Sequence, residues 1–460
     1  MMSHTFNPTI LREYDIRGIV GDTLTEADAY ALGRTFAALA TVEGAKRIAV
    51  GRDGRTHSGM LEAALVSGLT EGGIDAVLVG QGPSPMLYFA TYYLDVDGGI
   101  QVTGSHNPAD YNGFKMLLKG RSVFGQEIQG IGKRAAAGDW TEGNGTTEEV
   151  DIREAYVDRL LQDYSGNSYR IGWDAGNGAA GPILEMLLDR LPGQHFAIYT
   201  DVDGTFPNHH PDPTVEKNLA DLKHLVSEKQ LDFGIAFDGD GDRIGAVDGK
   251  GRVIWGDQLL MILAVSVLKE LPGATLIADV KASQSFFDHV AKLGGKPLMW
   301  KTGHSLIKSK MKETGAPLAG EMSGHIFFKH RWYGFDDALY AAVRLIEAVS
   351  DSGQSLTEIM DAMPKTTATP EMRFQVDESR KFAIVEEVRD RLSADGAKVD
   401  DTDGVRVSTP DGWWLLRASN TQDVLVGRAE AADQAGLDRL VGQIDDQLAK
   451  SGLERVQADH

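Results

Sequence analysis

One order of elements recurs three times in this chain, and it leaves few folds open. Arg47-Ile48-Ala49-Val50-Gly51 reads as a strand, the polar loop Arg52-Asp53-Gly54-Arg55 follows, and a helix begins at Ser58, which suits an N-cap. Leu61, Leu65 and Leu69 lie on one helical face, Gly72-Gly73 stops the helix, and Ile74 to Val79 is the next strand. A strand–helix–strand unit of this kind predicts two parallel strands.

In the second copy, Tyr169 to Trp173 is the strand and Asp174-Ala175-Gly176-Asn177-Gly178 the loop. Ile183, Leu184, Leu187, Leu188 and Leu191 mark the helix, Pro192-Gly193 ends it, and Phe196 to Tyr199 is the strand. In the third, Thr275 to Ala278 leads into Asp279-Val280-Lys281-Ala282-Ser283, Phe286, Phe287, Val290 and Leu293 mark the helix, Gly294-Gly295 the stop, and Pro297 to Trp300 the strand. These read as three diverged copies of one α/β domain.

Each copy continues with a further apolar run that opens into a polar loop. Gly99 to Val102 leads into Thr103-Gly104-Ser105-His106-Asn107-Pro108, Phe233 to Phe237 into Asp238-Gly239-Asp240-Gly241-Asp242-Arg243, and Pro317 to Gly320 into Glu321-Met322-Ser323-Gly324-His325. Equivalent copies would release all three loops from equivalent strand ends, where catalytic groups are usually held. The tail differs: strands at Glu371 to Val376, Gly404 to Ser408, Trp413 to Arg417 and Val424 to Gly427, with helices from Lys381 and Ala435, predict a small antiparallel α+β domain. It offers its own loop, Arg417-Ala418-Ser419-Asn420-Thr421, whose donors suit phosphate oxygens. At 460 residues the chain divides into 1–150, 151–253, 254–366 and 367–460.

Composition narrows the chemistry. The absence of cysteine removes disulfides, thiolate metal sites and a cysteine nucleophile, and suits a reducing compartment. A formal charge of −21 argues against non-specific nucleic-acid binding and requires a locally basic pocket for any anionic substrate. The longest apolar stretch, Leu259 to Leu268, falls short of the roughly 18 residues that span a bilayer, and reads as a buried helix. The first residues lack the apolar core of a signal peptide.

Asp238, Asp240 and Asp242 alternate with glycines, which puts three carboxylates on one side of an extended segment. Such a set calls for a hard divalent cation such as Mg²⁺. An EF-hand does not fit, because Arg243 and Gly249 stand where that loop needs glycine and glutamate. The metal gives Ser105 a purpose: a serine hydroxyl is a weak nucleophile unless a base or a metal supports it. A hydrolase pairing with His106 is not expected, since adjacent side chains on an extended chain point apart. Phosphoryl transfer, which depends on positioning and charge neutralisation, suits a metal-supported serine. The prolines of Pro207-Asn208-His209-His210-Pro211 favour a stiff loop over a histidine metal site.

The ordered set Thr-Gly-Ser-His-Asn-Pro, Asp-Gly-Asp-Gly-Asp-Arg, Gly-Glu-Met-Ser-Gly-His and Arg-Ala-Ser-Asn-Thr resembles the α-D-phosphohexomutases, over essentially the whole chain. The resemblance implies an α/β fold: three related α/β domains with mixed sheets plus a C-terminal α+β domain, arranged around a central cleft. It implies that Ser105 carries a phosphoryl group and that Mg²⁺ is held by Asp238, Asp240 and Asp242 with Ser105. It implies interconversion of hexose 1-phosphate and 6-phosphate, for glucose and mannose, with glucose 1,6-bisphosphate as activator and intermediate. By the same resemblance Arg417, Ser419, Asn420 and Thr421 clamp the non-reacting phosphate. The loop Glu321, Met322, Ser323, Gly324 and His325 meets the sugar, and Tyr14, Arg243 and Lys281 complete the binding residues. His304, Lys115 and Arg17 are candidates for the general acid or base by that resemblance, while His106 reads as a residue that orders the loop or the phosphoserine. If Glu321 and Ser323 read the 3- and 4-hydroxyls, the site is blind at carbon 2, where glucose and mannose differ. The resemblance further implies a cytoplasmic monomer whose partners are small hexose phosphates, with no nucleic acid or membrane.

Three rivals remain at this point. Asp238-Gly239-Asp240 also resembles the nucleophile loop of a dehalogenase-type phosphatase, but that family has Thr or Val in place of Asp242 and leaves Ser105 unused. A phosphoglucosamine mutase would differ around Met322. A sugar-phosphate-binding protein or scaffold would carry no phosphoryl group on Ser105.

Overall fold

Apolar strands separated by amphipathic helices bury both faces of a sheet, and the three copies do this in the same order. The computed structural model describes residues 3–377, 379–420 and 422–453. In the first copy Arg47–Arg52 runs parallel to Asp75–Gln81 on one side and to Gly98–Val102 on the other, with the helix Ser58–Glu71 as crossover. In the second, Tyr169–Asp174 has the same place between Gly193–Ile198 and Phe233–Phe237. In the third, Thr275–Asp279 lies between Lys296–Trp300 and Leu318–Gly320. Each loop-bearing strand then pairs antiparallel with the strand after its loop: Tyr111–Leu118, Ile244–Asp248 and Ile326–Phe328. The sheets are therefore mixed, and the repeat read from glycine stops and apolar faces is a repeat of topology. Ile16–Ile19 extends the first sheet by pairing antiparallel with Tyr111–Leu118.

Two local expectations change. Ser58 does not cap its helix: His57 occupies that position without a side-chain bond, and the Ser58 hydroxyl instead donates to Asp53 Oδ1 at 2.5 Å. The second strand of the second copy begins at Gly193 and ends before Tyr199, whose φ of +56° turns the chain out of the sheet. Leu259 to Leu268 lies inside the helix Gly256–Glu270, as its apolar run predicts.

The second and third copies share one core, which also takes Tyr88 and Phe89 from the helix Ser84–Tyr93 of the first. The tail forms an antiparallel sheet covered by the helices Lys381–Ala394 and Gln434–Lys450. Ile384, Val388, Trp414, Leu416, Leu440 and Ile444 fill the space between them. It docks on the third copy through Arg406, which stacks on Trp413 at 3.6 Å and donates to the carbonyls of Val280 (2.6 Å) and Ala282 (2.8 Å). A planar guanidinium satisfies two carbonyls while covering an aromatic face, which fixes this unit against its neighbour. No helix among the described residues is long and apolar enough to cross a membrane.

Candidate active site

The three equivalent strands deliver their loops to one cavity of about 1030 Å³, which the tail closes on its fourth side. Ser105, Arg17 and Lys115 of the first copy line it, with Arg243 of the second, Lys281, His304 and Glu321 of the third and Arg417 of the tail. The net charge of the chain is −21, yet the cavity wall is rich in arginine and lysine. That is the local field an anionic substrate requires.

Ser105 adopts φ +51°, an uncommon conformation for a residue with a side chain. Its amide donates to Thr103 Oγ1 at 2.8 Å, and the Gly104 amide donates to Asp53 Oδ2 at 3.0 Å. The left-handed turn overturns one expectation. The chain is not extended here, so the His106 ring swings alongside and Nδ1 lies 3.1 Å from Ser105 Oγ. Burial, with Arg243, Arg17 and Lys115 nearby, holds His106 well below the usual histidine range. That shift favours the neutral ring, whose Nδ1 stands within hydrogen-bonding distance of the hydroxyl.

Asp238, Asp240 and Asp242 are fully buried, and their carboxylates lie within 4.8 Å of one another. Asp238 Oδ1 accepts from the amides of Asp242 and Arg243, both at 3.1 Å, which curls the loop. Lys115 Nζ donates to Asp240 Oδ2 at 2.6 Å and to Asp242 Oδ2 at 2.5 Å, and Ser84 Oγ also donates to Asp240 Oδ2. Oδ1 of Asp240 and Oδ1 of Asp242 have no hydrogen-bond partner among the described residues. Burial and then the Asp242 and Asp240 charges push Asp238 well above the usual carboxylate range. One lysine does not neutralise three carboxylates, and an all-oxygen set with orphaned acceptors fits a hard divalent cation. Ser105 Oγ stands 3.4 Å from Asp238 Oδ2, close enough to share that ion. A second convergence, Asp242 with His325 and Asp336, includes a histidine–aspartate pair, His325 Nδ1 being 3.0 Å from Asp336 Oδ2.

In the third loop Glu321 accepts from the Gly303 amide (2.5 Å) and from Ser323 Oγ (3.2 Å), which presents both side chains to the cavity. His304 opens the helix His304–Thr314 beside them, with a buried Nδ1 that has no hydrogen-bond partner among the described residues. Burial, and then the Lys308 charge, depresses its pKa well below the usual value. Arg243 Nε donates to His325 Nε2 at 3.0 Å, joining the second loop to the third. Arg17 donates to Gly104 O (2.9 Å) and Asn107 Oδ1 (2.8 Å), and also pairs with Asp15.

The tail loop reaches across the cleft. Arg417 is buried and held by Asp403 at 2.9 Å, while Asn420 Nδ2 donates to the Tyr14 hydroxyl (2.6 Å), which itself donates to Thr302 O (2.8 Å). Ser419 Oγ accepts from the Gln422 amide at 3.2 Å, and Thr421 lies outside the described residues. Lys281 Nζ faces the cavity and pairs with Glu371 at 3.1 Å; its charge, ahead of burial, holds Glu371 at about 2.

One expected binding residue does not face the cavity. Gly324 (φ +88°) turns the loop instead, and a Cβ there would meet Ile244 O at 2.5 Å. Arg55, Asp336 and Arg428 are prominent around the loops and were not singled out from the sequence. Arg428 is buried against Met322 and the Lys281 carbonyl. The sequence signal for Arg55 was its place in the polar loop after the first repeat strand; Asp336 and Arg428 had none.

Three matched strand-end loops and a fourth from the tail, converging on one serine and one carboxylate trio, define a four-domain phosphohexomutase fold. The chain belongs to the phosphoglucomutase/phosphomannomutase family. Models of that family's alpha/beta/alpha domains I, II and III match residues 8–142, 154–251 and 255–367, and its C-terminal domain matches 371–447. A phosphomannomutase/phosphoglucomutase of Pseudomonas aeruginosa is 44% identical over 445 residues, 96% of each chain. A phosphoglucomutase of Neisseria gonorrhoeae is also 44% identical, over 94% of this chain and 95% of its own. The crystal structure of a phosphoglucomutase/phosphomannomutase family protein from Burkholderia thailandensis superimposes with a TM-score of 0.92 at 42% identity, covering 97% of this chain and 98% of that one. The family assignment sets aside the dehalogenase-type phosphatase and the non-catalytic scaffold.

Proposed function

We propose that the protein interconverts the 1-phosphates and 6-phosphates of glucose and mannose by way of a phosphoryl group carried on Ser105. The observation that carries this is the placement of Ser105 Oγ, on a strained turn between the buried carboxylate trio and the mouth of a cleft walled by all four units. Asp238, Asp240 and Asp242, with Ser105, would hold Mg²⁺, and the ion would supply charge neutralisation for the phosphoryl group.

In the first half-reaction the P–O bond to Ser105 breaks as a P–O bond forms to the free hydroxyl of the bound hexose phosphate; that hydroxyl's proton passes to a base, while Ser105 Oγ takes up a proton from a general acid, for which Lys115 is the candidate. His304 fits the role of base: it is neutral, buried, and has an Nδ1 unshared among the described residues. The product, a 1,6-bisphosphate, turns round in the cleft and returns its other phosphoryl group to Ser105, with the protons retracing their paths. Glucose 1,6-bisphosphate added from solution primes an unphosphorylated enzyme by the same step. Arg417, Ser419, Asn420 and Thr421 hold whichever phosphate is not reacting, with Lys281 and Arg243 in support, and Arg17 and Lys115 keep the serine loop and carboxylates in place. Glu321 and Ser323 take hydroxyls placed alike in both orientations, leaving carbon 2 unread, so both sugars are substrates. On this reading the enzyme works in the cytoplasm as a monomer.

The test is a coupled mutase assay on glucose 1-phosphate and mannose 1-phosphate with Mg²⁺ and bisphosphate, run beside Ser105→Ala. Comparable use of both sugars is expected, with about 10³-fold or greater loss in the variant. A strong preference for glucosamine phosphate would contradict the substrate assignment.

A further inference from the structure

Side chains at positive φ persist only where their surroundings over-determine them, and Ser105 at +51° is such a residue. We infer that Arg55 is the positioning residue for the serine, its guanidinium serving as the template on which residues 105–111 are wrapped. The inference rests on the mutase reading of Ser105. Nη2 donates to the carbonyls of Ser105 (2.8 Å) and Asn107 (2.6 Å), and Nη1 to those of Pro108 (2.5 Å) and Tyr111 (3.0 Å). Four carbonyls from one loop converge on one planar fork, a geometry the single ammonium of lysine cannot reproduce.

The other edge of the guanidinium faces a carboxylate as an ion pair, without a hydrogen bond among the described residues. Nε lies 3.3 Å from Asp53 Oδ2, the oxygen that also receives the Gly104 amide. Gly104 has no room for a side chain, because a Cβ would stand 2.3 Å from Arg55 Nε. The same arginine meets the second α/β unit, whose Phe206 ring lies 5.1 Å from its Cζ. That unit carries the carboxylate trio, and its Gly239 fits so close that a Cβ would sit 2.4 Å from Ser105 O. Arg55 is thus wedged between the nucleophile loop and the unit bearing the metal loop, which sets the spacing of Ser105 Oγ from Asp238. Its side chain is 1% exposed and does not line the cavity, so it acts through Ser105 and touches no substrate.

The experiment compares Arg55→Lys with wild type in the coupled mutase assay. The expected result is a kcat lower by about 100-fold with KM for hexose phosphate within about twofold, because nucleophile placement is lost while the binding loops are kept. Asp53→Asn loosens the opposite edge of the fork and should show the same split to a smaller degree, which preserves the readout if the lysine variant does not fold. Folded variants with kcat within about threefold of wild type, or with a kcat loss matched by a rise in KM, would overturn the inference. Lack of turnover in the wild type, or full activity in Ser105→Ala, would instead remove the mutase reading, so the two failures are distinct.

Discussion

At the scale of single residues, the chemistry depends on which groups are neutral. His304 is buried at a helix N-terminus beside Lys308, and both effects disfavour its cationic form. A depressed pKa keeps the base form present to lower pH, so kcat/KM should stay level from about pH 8 to below the ordinary histidine value near 6.5 and fall only under that. His304→Gln should lower kcat by about 10²- to 10³-fold and abolish that acidic limb; a variant with an unaltered pH profile would exclude His304 as the base. The residue types at the site could be read from the sequence, because serine, three aspartates and an arginine loop each have few chemical uses. Their conformations could not. Nothing local forces Ser105 to a positive φ, and the expectation that His106 would point away failed for that reason.

At the scale of elements, loop contacts and helix caps give separate predictions. Gly239 lies so close to the Ser105 carbonyl that Gly239→Ala must push the metal loop away from the serine loop. A kcat loss of about 100-fold is expected, with a melting temperature close to wild type, since the contact lies in the loop beyond the end of a central strand and outside the hydrophobic core; undiminished turnover would show that the two loops need not touch. Asp337 caps the helix Ala338–Ser352 by accepting from the Tyr340 amide (2.9 Å), and also accepts from the Tyr156 hydroxyl (2.7 Å). Burial outweighs these bonds and raises its pKa to about 7. A carboxyl with a raised folded-state pKa stabilises fully below its unfolded value, and that contribution is lost as pH rises through about 7. Asp337→Asn should therefore flatten the stability profile between about pH 4 and 8, by at most roughly 4 kcal/mol in urea titrations. An unchanged slope would mean that Asp337 ionises normally. The repeated strands, helices and stops were legible because burial on both sheet faces demands continuous apolar strands and glycine ends them. The Ser58 cap was not, because Asp53 lies five residues away and competes for the hydroxyl.

At the scale of the whole molecule, the cleft exists only because four units are held together. Asn420, Tyr14 and Thr302 form one hydrogen-bonded chain through the tail, the first copy and the third. The loop proposed as the phosphate clamp is part of that frame, and Arg417→Ala should raise KM for glucose 1-phosphate and mannose 1-phosphate by the same factor, about 10-fold or more. Unequal factors would show that the tail reads the sugar as well as the phosphate. Equivalent strand ends followed from element order, whereas the shared cleft was implied by the family resemblance. Arg55 and Asp336 escaped notice because their partners are brought near only by tertiary packing.

The most direct measurement follows the phosphoryl group itself. Enzyme labelled on Ser105 from ³²P-glucose 1,6-bisphosphate would be mixed with excess hexose phosphate, quenched at intervals, and both protein and sugar counted. The label should leave Ser105 for hexose bisphosphate at least as fast as kcat. A label that stays on the protein through many turnovers, or appears on a residue other than Ser105, would contradict the role assigned to that serine.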